Sequence, residues 1–134
     1  MERTSQYAAG MAMQQPNFDK QDQYEKIASG LMPGEQIFAV FDCTGAGTGF
    51  MGVTNKRLIF QDNAFAGKKV AVTSIPYSRV TSVSVVSDKS FAGKFFSSSS
   101  LAVTVSGAKT HEATFRGEEK AAHIHNIILH FICQ

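Results

Sequence analysis

Acid–base chemistry needs paired carboxylates or an activated nucleophile, and the chain offers few candidates for either. The acids Asp42, Asp62, Asp88 and Glu112 fall mostly at the ends of predicted strands, where solvated turn residues usually lie. No serine or cysteine stands in a nucleophile-elbow motif, and no carboxylate pair has a framing motif. The sequence therefore predicts that the protein is not an enzyme.

Metal binding needs several ligands close together. His123 and His130 share the outer face of the last predicted helix, but seven residues at the helical rise separate them by about 10 Å, too far for one ion. His125 lies beside the apolar stripe of that helix, and His111 lies at a strand start. We expect no metal site and no cofactor.

The two cysteines, Cys43 and Cys133, match no C-x-x-C spacing. They are predicted to be free, buried thiols in a reducing cytoplasm. Residues 1–15 lack the basic start and the apolar run of a signal peptide, which also favours a cytoplasmic location.

Anion binding is predicted weakly at one glycine-rich loop, residues 43–49. Gly45 and Gly47 expose backbone N–H groups, and strand connectivity places Lys68 and Lys69 nearby, which together make the minimal site for one phosphate or carboxylate. The loop is no phosphate-binding loop motif, so nucleotide binding is not supported. The alternative is a flexible hairpin loop without a ligand.

A second unusual segment, residues 88–97, interleaves lysines with phenylalanines. Lys89 and Lys94 alternate with Phe91 and Phe95, a composition that suits a membrane interface or a protein contact. The third interpretation is structural, with the phenylalanines folding back over the core. The formal net charge of the whole chain is only +2, so nucleic acid is not an expected partner.

A folded domain must position the glycine-rich loop and the lysine–phenylalanine segment, and the chain is long enough to form one domain. Residues 1–16 are predicted to be a flexible tail, and residues 17–134 to fold as a short helix at 20–31, a barrel at 35–116 and a C-terminal helix at 118–133. The period changes from 3.6 to 2 after Pro33-Gly34, which predicts seven antiparallel strands. They are expected near residues 36–42, 49–54, 57–62, 69–75, 80–87, 101–106 and 111–116. Alternation assigns inward positions to Val70, Val72, Val83 and Val85 among others.

The C-terminal helix is predicted to carry too much apolar surface for one barrel. Ala121, Ile124, Ile128, Phe131 and Ile132 form a stripe about 100° wide. Ile127 and Leu129 flank it, and including them widens the arc to about 200°. We therefore expect part of this helix to face another copy of the chain or the N-terminal helix.

Two motifs carry a family resemblance: Gly52-Val53-Thr54-Asn55-Lys56-Arg57-Leu58-Ile59-Phe60 and Ser74-Ile75-Pro76-Tyr77-Ser78-Arg79-Val80. With the strand meander and the closing helix, the chain resembles the bacterial pleckstrin-homology-like domains, which share their barrel with GRAM modules. The resemblance implies a mainly β fold, a seven-stranded antiparallel barrel closed by a C-terminal α-helix. Arg57 is expected to bind carbonyls or a carboxylate, and Tyr77 to mark the corner between sheets.

Two functions are implied by the resemblance: binding of phosphoinositide headgroups, and binding of proteins or of identical copies. Lipid-binding members place several cations on the first two strands and their loop, and residues 43–49 contain none. The sequence thus favours a non-enzymatic module that forms homo-oligomers through the C-terminal helix and neighbouring strand edges and contacts a protein partner. The residues expected in these contacts are Phe91, Phe95, Ile127 and Leu129. The alternative is a peripheral membrane module that uses Lys68, Lys69, Lys89 and Lys94.

Overall fold

The computed structural model describes residues 15–44, 49–65, 69–86, 98–107 and 109–134. The chain is mainly β, as predicted, with one C-terminal helix. Its elements in order are β1 (Asn17–Phe18), α1 (Gln21–Ala28), β2 (Ile37–Asp42), β3 (Gly49–Thr54), β4 (Arg57–Phe65), β5 (Lys69–Pro76), a 3₁₀ turn (Tyr77–Arg79), β6 (Val80–Val86), β7 (Ser98–Val105), β8 (Lys109–Arg116) and α2 (Lys120–Ile132).

The strands form two sheets rather than one closed barrel, so the predicted closure is wrong. Sheet A has the order β1-β2-β3-β4-β5, and sheet B has the order β6-β7-β8. The strand count also differs, because the two-residue β1 adds a parallel strand beside β2. All other neighbouring strands pair antiparallel.

The two sheets are hydrogen-bonded to each other at one corner, between β2 and β8. At the other corner, between β5 and β6, the chain passes from one sheet to the other. Cys43 forms an isolated bridge with Phe115, and the Thr44 N–H donates to the Thr114 carbonyl at 2.8 Å, which joins the end of β2 to β8. At the opposite corner Pro76 removes a ladder donor, and the 3₁₀ turn carries the chain from sheet A to sheet B. Within the described residues β5 and β6 do not pair with each other.

The main core lies between the sheets and under α2. Phe38, Met51, Leu58, Leu101 and Phe115 are among its buried side chains. The apolar face of α2 packs into this core through Ala121, Ile124, Ile127 and Ile128. Ile127 is only 1% exposed, so the prediction that it lies outside the packed stripe is wrong. The helix packs against β6, β7, β8 and the 3₁₀ turn, and these elements together cover Ile127 as well as the predicted stripe.

A second core covers the outer face of sheet A. Ile27 of α1 packs there with Ile37, Val40, Phe50 and Ile59. Because Gly52 has no side chain, Ile27 of α1 can pack directly on β3. A Cβ at this position would lie 2.2 Å from Ile27 Cδ1. β2 and β3 are therefore buried on both faces, which explains their continuous apolar sequence.

Several predicted inward side chains instead face solvent. Val70 and Val72 of β5 are 51% and 57% exposed, and Val85 of β6 is 41% exposed. These positions lie on the two sheet edges beyond the cover that α1 and α2 provide. Cys133, predicted to be buried, is exposed at the end of α2, whereas Cys43 is half-buried.

Replacing Ile127 and Leu129 separately tests how α2 packs. We expect Ile127→Ala to lower the free energy of unfolding by about 2 to 5 kcal/mol, because it leaves a cavity in the main core. Leu129, which is 37% exposed, is the matched control on the same helix, and Leu129→Ala should cost about 1 kcal/mol or less. Urea unfolding of both variants measures the difference, and equal losses would contradict this packing.

Candidate functional site

A buried ion pair between Glu35 and Arg57 connects the loop after α1 to strand β4 of sheet A. The Glu35 side chain has no exposed surface, and the Arg57 side chain is 19% exposed. Arg57 Nε donates to Glu35 Oε2 at 2.8 Å, and Arg57 Nη2 donates to Glu35 Oε1 at 3.1 Å. This two-pronged geometry is the strongest that the two groups can form. The expectation that Arg57 pairs with a carboxylate is thus met.

The same pair binds four further residues, which lie in the loop after α1, in β3 and in β5. The Arg57 guanidinium donates to the Gly30 carbonyl and to Ser74 Oγ, which lies on the neighbouring β5. The Thr54 hydroxyl donates to Glu35 Oε2 at 2.6 Å, and the Met32 N–H donates to Glu35 Oε1 at 2.8 Å. The end of α1, the following loop and strands β3 to β5 are therefore fixed relative to one charge pair.

The electrostatics of Glu35 follow from these contacts. Burial alone would raise the pKa of Glu35, but hydrogen bonds from Arg57, Met32 and Thr54, with the nearby guanidinium charge, lower this pKa from 4.5 to about 2. The carboxyl is accordingly ionised in the folded protein at neutral pH. The described hydrogen bonds of Glu35 all come from the protein's own framework, so the ionised carboxyl holds these segments together.

Tyr77 marks the corner at which the chain leaves sheet A for sheet B, as predicted from the sequence. Its hydroxyl donates to the Thr54 carbonyl at 2.6 Å, and its ring stacks on Phe131 of α2 with centroids 4.9 Å apart. Burial and the Glu35 charge raise the pKa of Tyr77, so the hydroxyl stays protonated as a donor. Tyr77 thereby connects the ion pair to α2.

The two strands that flank this corner carry exposed valines. β5 ends at the 3₁₀ turn that contains Tyr77, β6 begins after it, and each is the last strand of its sheet. Val70, Val72, Val85 and Val86 are all between 41% and 57% exposed. Val70 and Val72 share one face of β5, whereas the consecutive Val85 and Val86 point to opposite faces of β6. We call the two edge strands β5 and β6, with these four valines, the open corner.

Of the sequence-predicted contact residues, the structure describes Ile127, Leu129 and Lys69. Ile127 is buried in its own core, and this correction removes it as a contact for another copy. Leu129 is 37% exposed on α2. Phe91 and Phe95 lie outside the described residues, as do Gly45, Gly47, Lys68, Lys89 and Lys94. Lys69 is exposed at the start of β5, at the end of sheet A where Gly49 begins β3.

A cleft of about 530 Å³ lies between sheet A and β8. Phe60 of β4 and His111 of β8 stack across it with ring centroids 5.3 Å apart. Its polar lining includes Asp62, Lys109 and Glu112. Burial and the charge of Lys109 lower the pKa of His111, which favours the neutral imidazole at pH 7.

Cys43 also lines this cleft. Burial, with the charges of Asp42 and Asp19, raises the pKa of the Cys43 thiol to about 12. The thiol is therefore protonated at neutral pH and is a poor nucleophile.

The described residues contain no cluster of three or more His, Cys, Asp or Glu side chains that would hold a metal ion. Asn17 Nδ2 lies 3.3 Å from His123 Nε2, so this histidine contacts β1. Neither helix of the described ranges has the length and apolar character that crossing a bilayer requires.

Comparison with known proteins gives a family and a fold. The chain matches the family model described as "Bacterial PH domain" over residues 8–132. A solved pleckstrin homology domain from Shewanella amazonensis SB2B is 22% identical with a TM-score of 0.55, covering 94% of this chain and 98% of that one. The C-terminal domain of an unknown protein from Leishmania infantum is 19% identical with a TM-score of 0.49, covering 84% and 94%. No curated protein matches the chain.

Acid unfolding tests the Glu35–Arg57 pair. A carboxyl whose pKa falls from 4.5 to about 2 on folding contributes about 3 kcal/mol above pH 4.5 and loses that contribution as the pH falls through about 2. Glu35→Gln should therefore be less stable than the parent at pH 7, and the gap should shrink between pH 4.5 and 2. Urea unfolding at several pH values measures it.

Glu118→Gln is the control, because Glu118 is exposed and removing its carboxylate should change stability little at any of these pH values. A gap between Glu35→Gln and the parent that stays constant from pH 7 to pH 2 would contradict the proposed role of the charge.

Proposed function

The chain belongs to the bacterial PH domain family, and on that basis we propose that it is a non-enzymatic interaction module that assembles with copies of itself and contacts a protein partner. The family resemblance of the two sequence motifs is confirmed by this match. PH domains are in general non-catalytic interaction modules. The observation that carries the proposal is the open corner.

An exposed strand edge is unusual in a protein that stays monomeric. β5 and β6 each end a sheet, and within the described residues neither has a strand partner on its outer side. Natural sheets protect such edges with charged residues, prolines or covering segments, because free N–H and C=O groups pair readily with another strand. Here the outer positions include Val70, Val72, Val85 and Val86. Both the backbone and the side chains of the corner therefore favour a partner.

A second copy of the chain is the partner that we propose for one of these edges. Two identical edges pair antiparallel around a twofold axis, so one surface serves both partners. The exposed valines of the paired strand would lose water on association, which contributes about 25 cal/mol per Å² of apolar area. The interface proposed here keeps the strand edges that the sequence predicted and drops Ile127 of the C-terminal helix, because Ile127 is already buried.

Analytical ultracentrifugation tests the assembly. At tens of micromolar we expect a mass that is a multiple of 14.5 kDa. Val72→Lys and Val86→Lys should shift the protein to monomer, since a lysine on a strand edge opposes edge pairing. Leu129→Lys is the matched control, because it makes the same change at an exposed apolar site on α2. A monomeric parent would refute the assembly, and dissociation by Leu129→Lys alone would move the interface to the helix.

The second candidate function is peripheral binding to a membrane that contains anionic lipid. One observation favours it: the exposed Lys69 stands next to the exposed Val70 on β5, so a cation and an apolar side chain share one edge. Such a combination suits a lipid interface. The two functions differ in their dependence on salt, since attraction between exposed charges weakens as ionic strength rises.

Flotation with vesicles that contain phosphatidylserine separates the two functions. A lipid-binding protein floats at low ionic strength and less at high ionic strength, and Lys69→Gln reduces the bound fraction. Lys26→Gln, on the exposed surface of α1, is the control for general charge. Absence of flotation at low salt would eliminate the membrane function and leave the self-assembling module.

A further inference from the structure

We propose that β1 is an exchangeable strand: the segment that ends at Asp19 in one copy docks on β2 of a second copy, in the place that the chain's own β1 occupies. This contact adds a second surface to the proposed self-assembly and does not require the open corner. Lys20, which is extended and lies directly before α1, is the hinge about which the segment leaves its own domain.

Little backbone holds β1 to sheet A. The strand has two residues, both exposed, and its pairing with β2 is parallel, the less stable of the two arrangements. The register aligns Asn17 with Ala39 and Phe18 with Val40. One more backbone hydrogen bond follows, from the Asp19 N–H to the Val40 carbonyl at 3.1 Å. A segment with so few buried contacts opens at a small cost in free energy.

The edge of β2 under this segment does not depend on β1 for its own position. β2 pairs along its other edge with β3. Its side chains pack into both cores, Phe38 and Phe41 into the main core and Val40 into the core under α1. When β1 leaves, β2 therefore stays in place and presents N–H and C=O groups that pair readily with another strand.

Side-chain contacts make this edge specific for the segment that it holds. Asp19 is the main anchor, because its Oδ1 accepts from Lys120 Nζ at 2.6 Å and its Oδ2 accepts from the Asp42 N–H at 2.9 Å. The side chains of Asp19 and Lys120 are 23% and 19% exposed, so the pair is partly shielded from solvent. The ring of Phe18 lies against that of Tyr24 in α1, with centroids 4.8 Å apart. The site thus recognises an aromatic residue followed by an acid in an extended chain.

A second copy is the occupant that these contacts favour. Tyr24, Asp42 and Lys120 all lie outside the exchanging segment, so they stay with the domain when β1 leaves. The segment of another copy has the same phenylalanine and aspartate, and it would therefore repeat these contacts between two chains. Exchange of an identical element is a low-cost route to a dimer for this reason.

The chain's own segment competes with that of a second copy. A short connection gives the internal segment an effective concentration on the order of millimolar, so it occupies the site at low protein concentration. We therefore expect exchange to increase with protein concentration and when the Asp19 anchor is removed.

Hydrogen exchange of the parent protein tests whether β1 opens on its own. The Asp19 amide should be protected at least about a hundredfold less than the Met51 amide, because β1 opens locally whereas β3, in the middle of sheet A, opens with the whole domain. This measurement needs no variant. Equal protection of the two amides would overturn the proposal.

A labelled peptide of residues 11–20 tests whether the site accepts the segment from a separate molecule. In fluorescence anisotropy it should bind full-length Asp19→Ala at least about tenfold more tightly than the parent, because the internal competitor has lost hydrogen bonds to a charged group. Glu112→Ala, at an exposed acid on β8, is the control and should bind the peptide as the parent does. Absence of binding to Asp19→Ala, or equal binding to all three chains, would show that the site is not exchangeable.

Two charge reversals test exchange between whole chains. Asp19→Lys and Lys120→Glu each place like charges between a chain's own segment and its site, whereas an exchanged pair of the two variants has opposite charges at both sites. Native mass spectrometry of an equal mixture should show mixed pairs above the statistical share of one half. Val86→Lys in both chains should leave this excess unchanged, which separates the exchange from assembly at the open corner. A statistical share of mixed pairs, or none, would refute the exchange and leave the open corner untouched.

Discussion

The buried pair of Glu35 and Arg57 is the constraint on which the arrangement of this domain depends. A carboxylate without solvent contact is tolerated only because the guanidinium, a backbone N–H and a hydroxyl all donate to it. Those donors come from different segments, so the pair fixes where α1 ends and how β3, β4 and β5 align. Removing either partner would leave the other as an uncompensated charge in the interior.

A chain of contacts connects the ion pair to Tyr77 and then to the C-terminal helix. Thr54 links the ion pair to Tyr77, because its hydroxyl donates to Glu35 and its carbonyl accepts from the Tyr77 hydroxyl. Tyr77 in turn stacks on Phe131, which also stacks on Phe38 of sheet A. The family motif around Arg57 and Tyr77 is therefore a structural device. This explains why it identifies the fold while leaving the ligand or partner to other residues.

The sequence predicted those parts that depend on local pattern. Turn residues and apolar periodicity are local signals, so the sequence predicted the final helix and the starts of four strands. These strands start at Gly49, Arg57, Lys69 and Val80. The sequence did not predict the burial of Ile127 or the exposure of Val72, because both depend on which faces of the sheets α1 and α2 cover. The partner of Arg57 was predicted only as a class, since Glu35 lies 22 positions away and only the folded chain brings the two together. The cleft has no sequence signal, because its walls belong to different sheets.

The open corner and the cleft are built from different parts of the two sheets. Within the described residues β5 and β6 do not pair, which leaves an unpaired edge on each strand. The cleft lies beside the other corner, where the Cys43–Phe115 bridge and the hydrogen bond between Thr44 and Thr114 join β2 to β8. The stacked rings of Phe60 and His111 span the space between β4 and β8 there. Because the described lining of the cleft includes no residue of β6, a change at Val86 is expected to alter assembly without altering the cleft.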